Sequence, residues 1–155
     1  MVVVLQNHLT TKPKELPIKP NESVFMEALL EMGVPENIVE SMVIIIEIRR
    51  MIAKGIYGGM NKNVFRIVID DHNGFIDKVE LNKTVAHELK HLAVAVSRQF
   101  HLENLNFSGG FYFGRNYKWE ELDCRRAEEK WGRLKYFDHL TDEVEAREAM
   151  YSLLD

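Results

Sequence analysis

The sequence predicts an α+β fold, mainly helical, with a small β-sheet. Two observations carry this reading. After Asn21, apolar residues recur at helical spacing in several separate stretches, and short β-rich runs are bounded by turn residues. Residues 2–5 suggest a short strand. Three of the four prolines (Pro13, Pro17 and Pro20) fall in residues 10–20, an extended connector, because proline lacks a backbone donor and restricts the residue before it. Residues 1–20 are therefore read as an N-terminal extension, and residues 21–155 as one domain.

Phe25, Ala28, Leu29 and Met32 mark a first helix with a stop at Gly33. Pro35 suits the first turn of a second helix. Ile38, Met42, Ile45, Ile46, Ile48 and Ile52 would make it apolar on much of its circumference, as in a deeply buried helix ending near Gly55. Residues 65–69 read as a strand, Asp70, Asp71, His72, Asn73 and Gly74 as a turn, and residues 75–79 as a returning strand. Asn82 suits a helix N-cap, followed by the stripe Val85, Leu89, Leu92 and Val96. Residues 107–116, with Gly109, Gly110 and Gly114 among aromatics, read as a hairpin or irregular strand. Residues 119–137 read as helix, and a last helix runs from Thr141 to about Leu154.

Composition narrows the function classes. The 155 residues are 46% hydrophobic and 28% charged, ordinary for one globular domain. The net charge of −4 leaves no cationic surplus for phosphates, so nucleic acid is not an expected partner. Apolar runs such as residues 42–46 fall far short of the roughly 20 residues of a membrane helix, so no membrane partner is expected. The single cysteine, Cys124, excludes an intrachain disulfide, and a cytoplasmic location is expected.

The informative stretch is His87-Glu88-Leu89-Lys90-His91, an H-E-x-x-H pattern on a predicted helix. Residues four apart share one helical face, so His87 and His91 offer two imidazole nitrogens to one zinc ion. Glu88 can stand beside a zinc-held water without occupying the metal. Zinc brings that water's pKa towards about 7, and the carboxylate takes its proton as a general base. The plainer reading is an amphipathic helix carrying two unremarkable histidines.

This stretch resembles the zincin metallopeptidases. Val94 and Ser97 stand where a metzincin would place a glycine and a third histidine. The gluzincin branch takes its third ligand from a glutamate on a later helix, often in an E-x-[ED]-A context. Glu143-Val144-Glu145-Ala146 fits that pattern fully, and Glu121-Leu122-Asp123-Cys124 fits with cysteine in place of alanine. Glu143 is thus the expected third ligand and Glu121 the alternative, with Asp123, His101, Glu128 and Glu129 behind them. The layout is similar to the minimal gluzincin-like peptidases, which implies a buried back helix, a small sheet packed on the metal helix and one or two C-terminal helices. In that family the edge strand before the metal helix binds substrate in extended form, a role that would fall on residues 65–69 or 75–79.

The resemblance implies a zinc (Zn2+) endopeptidase acting on a peptide or protein substrate, with Glu88 as the base. A second reading keeps the fold as a protein-binding or regulatory module without significant peptidase activity. Tyr112, Tyr117, Tyr136, His101 and His139 are candidate donors to an oxyanion, although a packing role is the ordinary one for tyrosine. Asp70, Asp71 and His72 are explained by a turn, and Cys124 by a small buried side chain.

Overall fold

The computed structural model describes residues 1–7, 14–15, 19–49, 55–61, 63–70, 78–105 and 117–138. The elements in chain order are β1 (Val2–Asn7), β2 (Lys14–Glu15), β3 (Lys19–Pro20), α1 (Glu22–Glu31), α2 (Glu36–Ser41), β4 (Val43–Arg49), β5 (Gly55–Asn61), β6 (Val64–Asp70), α3 (Lys78–Leu105), α4 (Tyr117–Trp131) and β7 (Phe137–Asp138). The fold is α+β: the described residues form four helices and a five-stranded mixed sheet of order β2-β1-β4-β6-β5, with β3 and β7 forming a separate two-stranded ribbon.

The sheet is built around β4, which pairs in parallel with β1 on one side and β6 on the other. Ile44, Ile46 and Ile48 are fully buried on one face, together with Val3, Leu5, Ile67 and Ile69. Phe25 and Leu29 of α1 and Leu81, Val85, Leu89 and Leu92 of α3 complete the core with them. On the opposite face Glu47 is buried, and its carboxylate accepts from Nε of Arg49 at 3.0 Å and pairs with Arg66 at 3.3 Å.

This arrangement corrects the expected long second helix. Helix α2 stops at Ser41, and Met42 turns the chain extended with φ −75° and ψ 140°. The residues that follow, 43–49, are mostly β-branched. A short stretch with five β-branched residues among seven suits a central strand as well as a buried helix, and here the parallel pairing on both edges decides it. A buried back helix is therefore replaced by a buried central strand.

The turn at Gly33 follows expectation and has a clear cause. Val34 N–H donates to the Leu29 carbonyl at 3.0 Å and Gly33 N–H to the Leu30 carbonyl at 3.1 Å, the paired bonds of a Schellman ending. That motif puts Gly33 at φ 98°, where glycine is at ease.

Residues 64–70 form the strand expected at 65–69, but its neighbours differ. Its antiparallel partner is β5, upstream of it, through the turn at Asn63 (φ 67°). Of the expected returning strand at 75–79, Lys78 and Val79 belong to α3 and the remainder lies outside the described residues. Helix α3 starts before Asn82, because fully buried Leu81 adds a turn to the apolar stripe. Asn82 instead accepts from Tyr136 N–H through Oδ1 at 3.3 Å. Helix α4 ends at Trp131, short of the expected 137, and Phe137 joins β7 against β3. Of the first twenty residues, β1 is an inner strand of the sheet. The expected hairpin at 107–116 and the expected helix from Thr141 lie outside the described residues.

Candidate metal centre

Helices α3 and α4 pack along each other, and the site lies on their shared seam. On α4 the seam is made by Glu120, Cys124, Ala127 and Trp131, all buried, at the i, i+4, i+7 spacing of one helical face. On α3, Val85, Leu89 and Leu92 turn to the core, which leaves His87 and His91 on the flank beside α4. The histidine side chains are 15% and 18% exposed, so both rings are held without being closed off from solvent. Their centroids lie 5.1 Å apart.

Glu121 joins the two rings. Its Oε1 lies 2.8 Å from Nε2 of His87, and its Oε2 lies 3.1 Å from Nε2 of His91. Each Nδ1 faces a different carboxylate: Glu120 at 2.9 Å from His91, and Glu128 at 3.7 Å from His87. Glu88, between the two histidines on α3, is 4% exposed.

This donor set fits a divalent cation. A neutral imidazole has one N–H donor and one lone-pair nitrogen. If His91 donates from Nδ1 to buried Glu120, its Nε2 presents a lone pair to an oxygen of Glu121, and two acceptors meet at 3.1 Å. A positive charge between them, a metal ion or a proton on that nitrogen, makes the contact favourable. Zinc bonds of about 2.0–2.1 Å place neighbouring ligand atoms about 3.3 Å apart around a tetrahedron, so the contacts of 2.8 and 3.1 Å would open by a few tenths of an ångström to admit the ion. The Glu120 carboxylate on Nδ1 of His91 matches the outer partner that usually orients a metal-binding histidine, whereas Glu128 at 3.7 Å from His87 is too far for a hydrogen bond.

Cys124 is fully buried one turn after Glu121, and its sulfur and one nitrogen from each of His87 and His91 all lie within 4.8 Å of one another. Burial pushes its thiol pKa far up, and the nearby carboxylates of Glu121, Glu120 and Glu88 add to that, against a smaller opposing effect of Lys90. Lys90 sends its ammonium to the Trp131 ring, 5.9 Å from the centroid, so its charge is engaged with an aromatic face.

The structure thus brings His87, His91 and Glu121 together, and buries Glu88 on the same helix close enough to act on the Cys124 thiol. Glu143, the expected third ligand, lies outside the described residues, as do Tyr112 and His139. Of the lesser candidates, Glu128 faces His87 Nδ1 and Asp123 pairs with Arg126 at 3.6 Å. Tyr136 is a packing residue: it is fully buried, meets Phe25 edge-on, and donates its hydroxyl to the Trp131 carbonyl at 2.8 Å. Glu120 escaped the sequence reading. The signal available was its place one residue before Glu121 and four before Cys124, on the face α4 turns inward.

Compared with known proteins, the chain matches no family model, no curated protein and no solved structure. Among the described residues no helix is long and apolar enough to cross a membrane.

Proposed function

We propose that the chain is a zinc-dependent metallopeptidase of gluzincin-like type, with His87, His91 and Glu121 as the protein ligands and Glu88 as the general base. The observation that carries this reading is the single Glu121 carboxylate divided between the Nε2 atoms of both histidines of an H-E-x-x-H turn. It gives the His₂Glu donor set that catalytic zinc sites use, with a position left for water or substrate.

When bound, zinc would supply Lewis-acid polarisation of a carbonyl and acidification of water. The chain's own residues do the rest. Glu120 fixes the His91 ring by accepting from Nδ1, leaving Nε2 for the ion. Glu88 accepts the proton of the attacking water and delivers it to the departing amine, so that one carboxylate serves both halves of the reaction.

The sheet offers a place for substrate. The expectation that residues 65–69 form the edge strand does not hold, because β6 lies between β4 and β5. The edge is β5, which packs against α3 and pairs, among the described residues, with β6 alone. An extended peptide added there would run beside the metal helix, held by backbone hydrogen bonds.

The test uses the full chain loaded with zinc and an unfolded protein as substrate. Cleavage that stops on chelation and returns with zinc supports the reading. Stoichiometric zinc without cleavage of any unfolded substrate would leave the binding-module reading in its place.

A further inference from the structure

Resting on the metal-centre reading above, we propose that Cys124 is a fourth protein ligand, so that the ion is held at rest in a closed His87–His91–Glu121–Cys124 centre.

The geometry comes from two pairs of residues on two helices. His87 and His91 are i and i+4 on α3, and Glu121 and Cys124 are i and i+3 on α4. Each pair occupies one helical face, and the two faces meet on the α3–α4 seam. Glu121 reaches the imidazoles from the solvent side, with 44% of its side chain exposed. Cys124 reaches them from within, at 0% exposure. No disulfide uses its sulfur, and no hydrogen bond to it is found among the described residues. The sulfur and the two imidazole nitrogens already lie within 4.8 Å of one another. With zinc bonds of about 2.0–2.1 Å to nitrogen and about 2.3 Å to sulfur, those edges would be about 3.3–3.6 Å, a contraction of at most about 1.5 Å.

Ligation is a simple exchange. The S–H bond breaks as the sulfur–metal bond forms, and the proton leaves to solvent. The result is four protein ligands, the count of a closed structural site, where three would leave the position that catalysis requires. A thiolate also shifts the preference towards softer ions, so cadmium should gain over cobalt. Cys124 would then regulate the site from beneath, with activity requiring the sulfur to give way to water or substrate.

Cobalt(II) tests this on the full chain, because a thiolate ligand adds a sulfur-to-cobalt charge-transfer band in the near ultraviolet. The wild-type protein should show that band. Cys124→Ala should keep stoichiometric cobalt but lose the band, and its preference for Cd2+ over Co2+ should fall by about tenfold or more. Stoichiometric cobalt in the wild type with no such band would overturn the role of Cys124 and leave the His87–His91–Glu121 reading intact. Absence of cobalt binding, or equal binding by the His87→Ala/His91→Ala double variant, would overturn both. Should Cys124→Ala fail to fold, X-ray absorption of the unmodified zinc-loaded chain decides. One sulfur at about 2.3 Å supports the proposal, and a shell of nitrogen and oxygen alone overturns it.

Discussion

Glu120 holds its Oε2 2.9 Å from Nδ1 of His91, with only 3% of its side chain exposed. A carboxylate so deeply placed needs a partner, because burying an unpaired charge is costly. His91 provides one, and in return its ring is fixed with Nε2 turned to Glu121. The orientation of the His91 ring is therefore set by a residue on the neighbouring helix.

Glu120→Ala should weaken zinc binding by about 10–100-fold, the usual cost of losing an outer partner. Glu120→Gln should recover much of the loss, since its amide oxygen still accepts from Nδ1. Competition with a chelator of known affinity measures both. Equal affinity of Glu120→Ala and wild type would make Glu120 a packing residue only.

Glu88→Gln should bind zinc as the wild type does and lose peptide hydrolysis by about 10²–10⁴-fold. The amide keeps the size of the buried side chain but cannot take a proton from water. Zinc stoichiometry and turnover of an unfolded protein, measured on the same preparation, check the two halves separately. Unchanged turnover would remove Glu88 from the chemistry.

What the sequence made legible follows the range of each signal. The His87–His91 pair was readable because the α-helical period fixes i and i+4 on one face whatever surrounds them. Residues 43–49 were not, because the unbroken apolar residues 42–46 carry no period to separate a buried strand from a buried helix. Gly58 and Gly59 are poor strand formers, yet they lie in β5, where pairing with Arg66 and Phe65 supplies what local propensity does not. Glu121 lies in a dense run of charge from Lys118 to Lys130, a composition that by itself suits a solvated helix face. Its place beside the histidines depends on which face of α4 meets α3, and Cys124, Ala127 and Trp131 settle that only once the two helices are packed.

Gly132→Ala should destabilise the fold without touching the metal ligands. A Cβ there would collide with the carbonyl oxygen of Glu128 and lie 2.9 Å from Cγ of Lys83. The first contact is with backbone, which cannot swing aside. Gly132 N–H also bonds that same carbonyl at 3.1 Å, at the turn that ends α4. Overpacking of this kind costs about 1–3 kcal/mol. Denaturant unfolding should show a lower midpoint at unchanged slope, and a midpoint equal to that of the wild type would mean the turn relaxes freely.

The last prediction separates the two glutamates that the sequence offered as third ligand. Glu121→Ala should weaken zinc binding far more than Glu143→Ala. Glu121 places one oxygen 2.8 Å from His87 Nε2 and the other 3.1 Å from His91 Nε2, so its removal takes away the group that ties the two imidazoles together. What is left, the two imidazoles and the Cys124 sulfur, lacks the one carboxylate of the set and falls one short of the four ligands of a closed zinc site. Glu120 cannot replace it, being engaged at the opposite nitrogen of His91, and Glu128 lies at 3.7 Å on the far side of the His87 ring. Titration of zinc into the two single variants decides the question. If Glu143→Ala loses the ion and Glu121→Ala keeps it, Glu121 is an outer partner of the histidines, and the third ligand comes from the C-terminal segment.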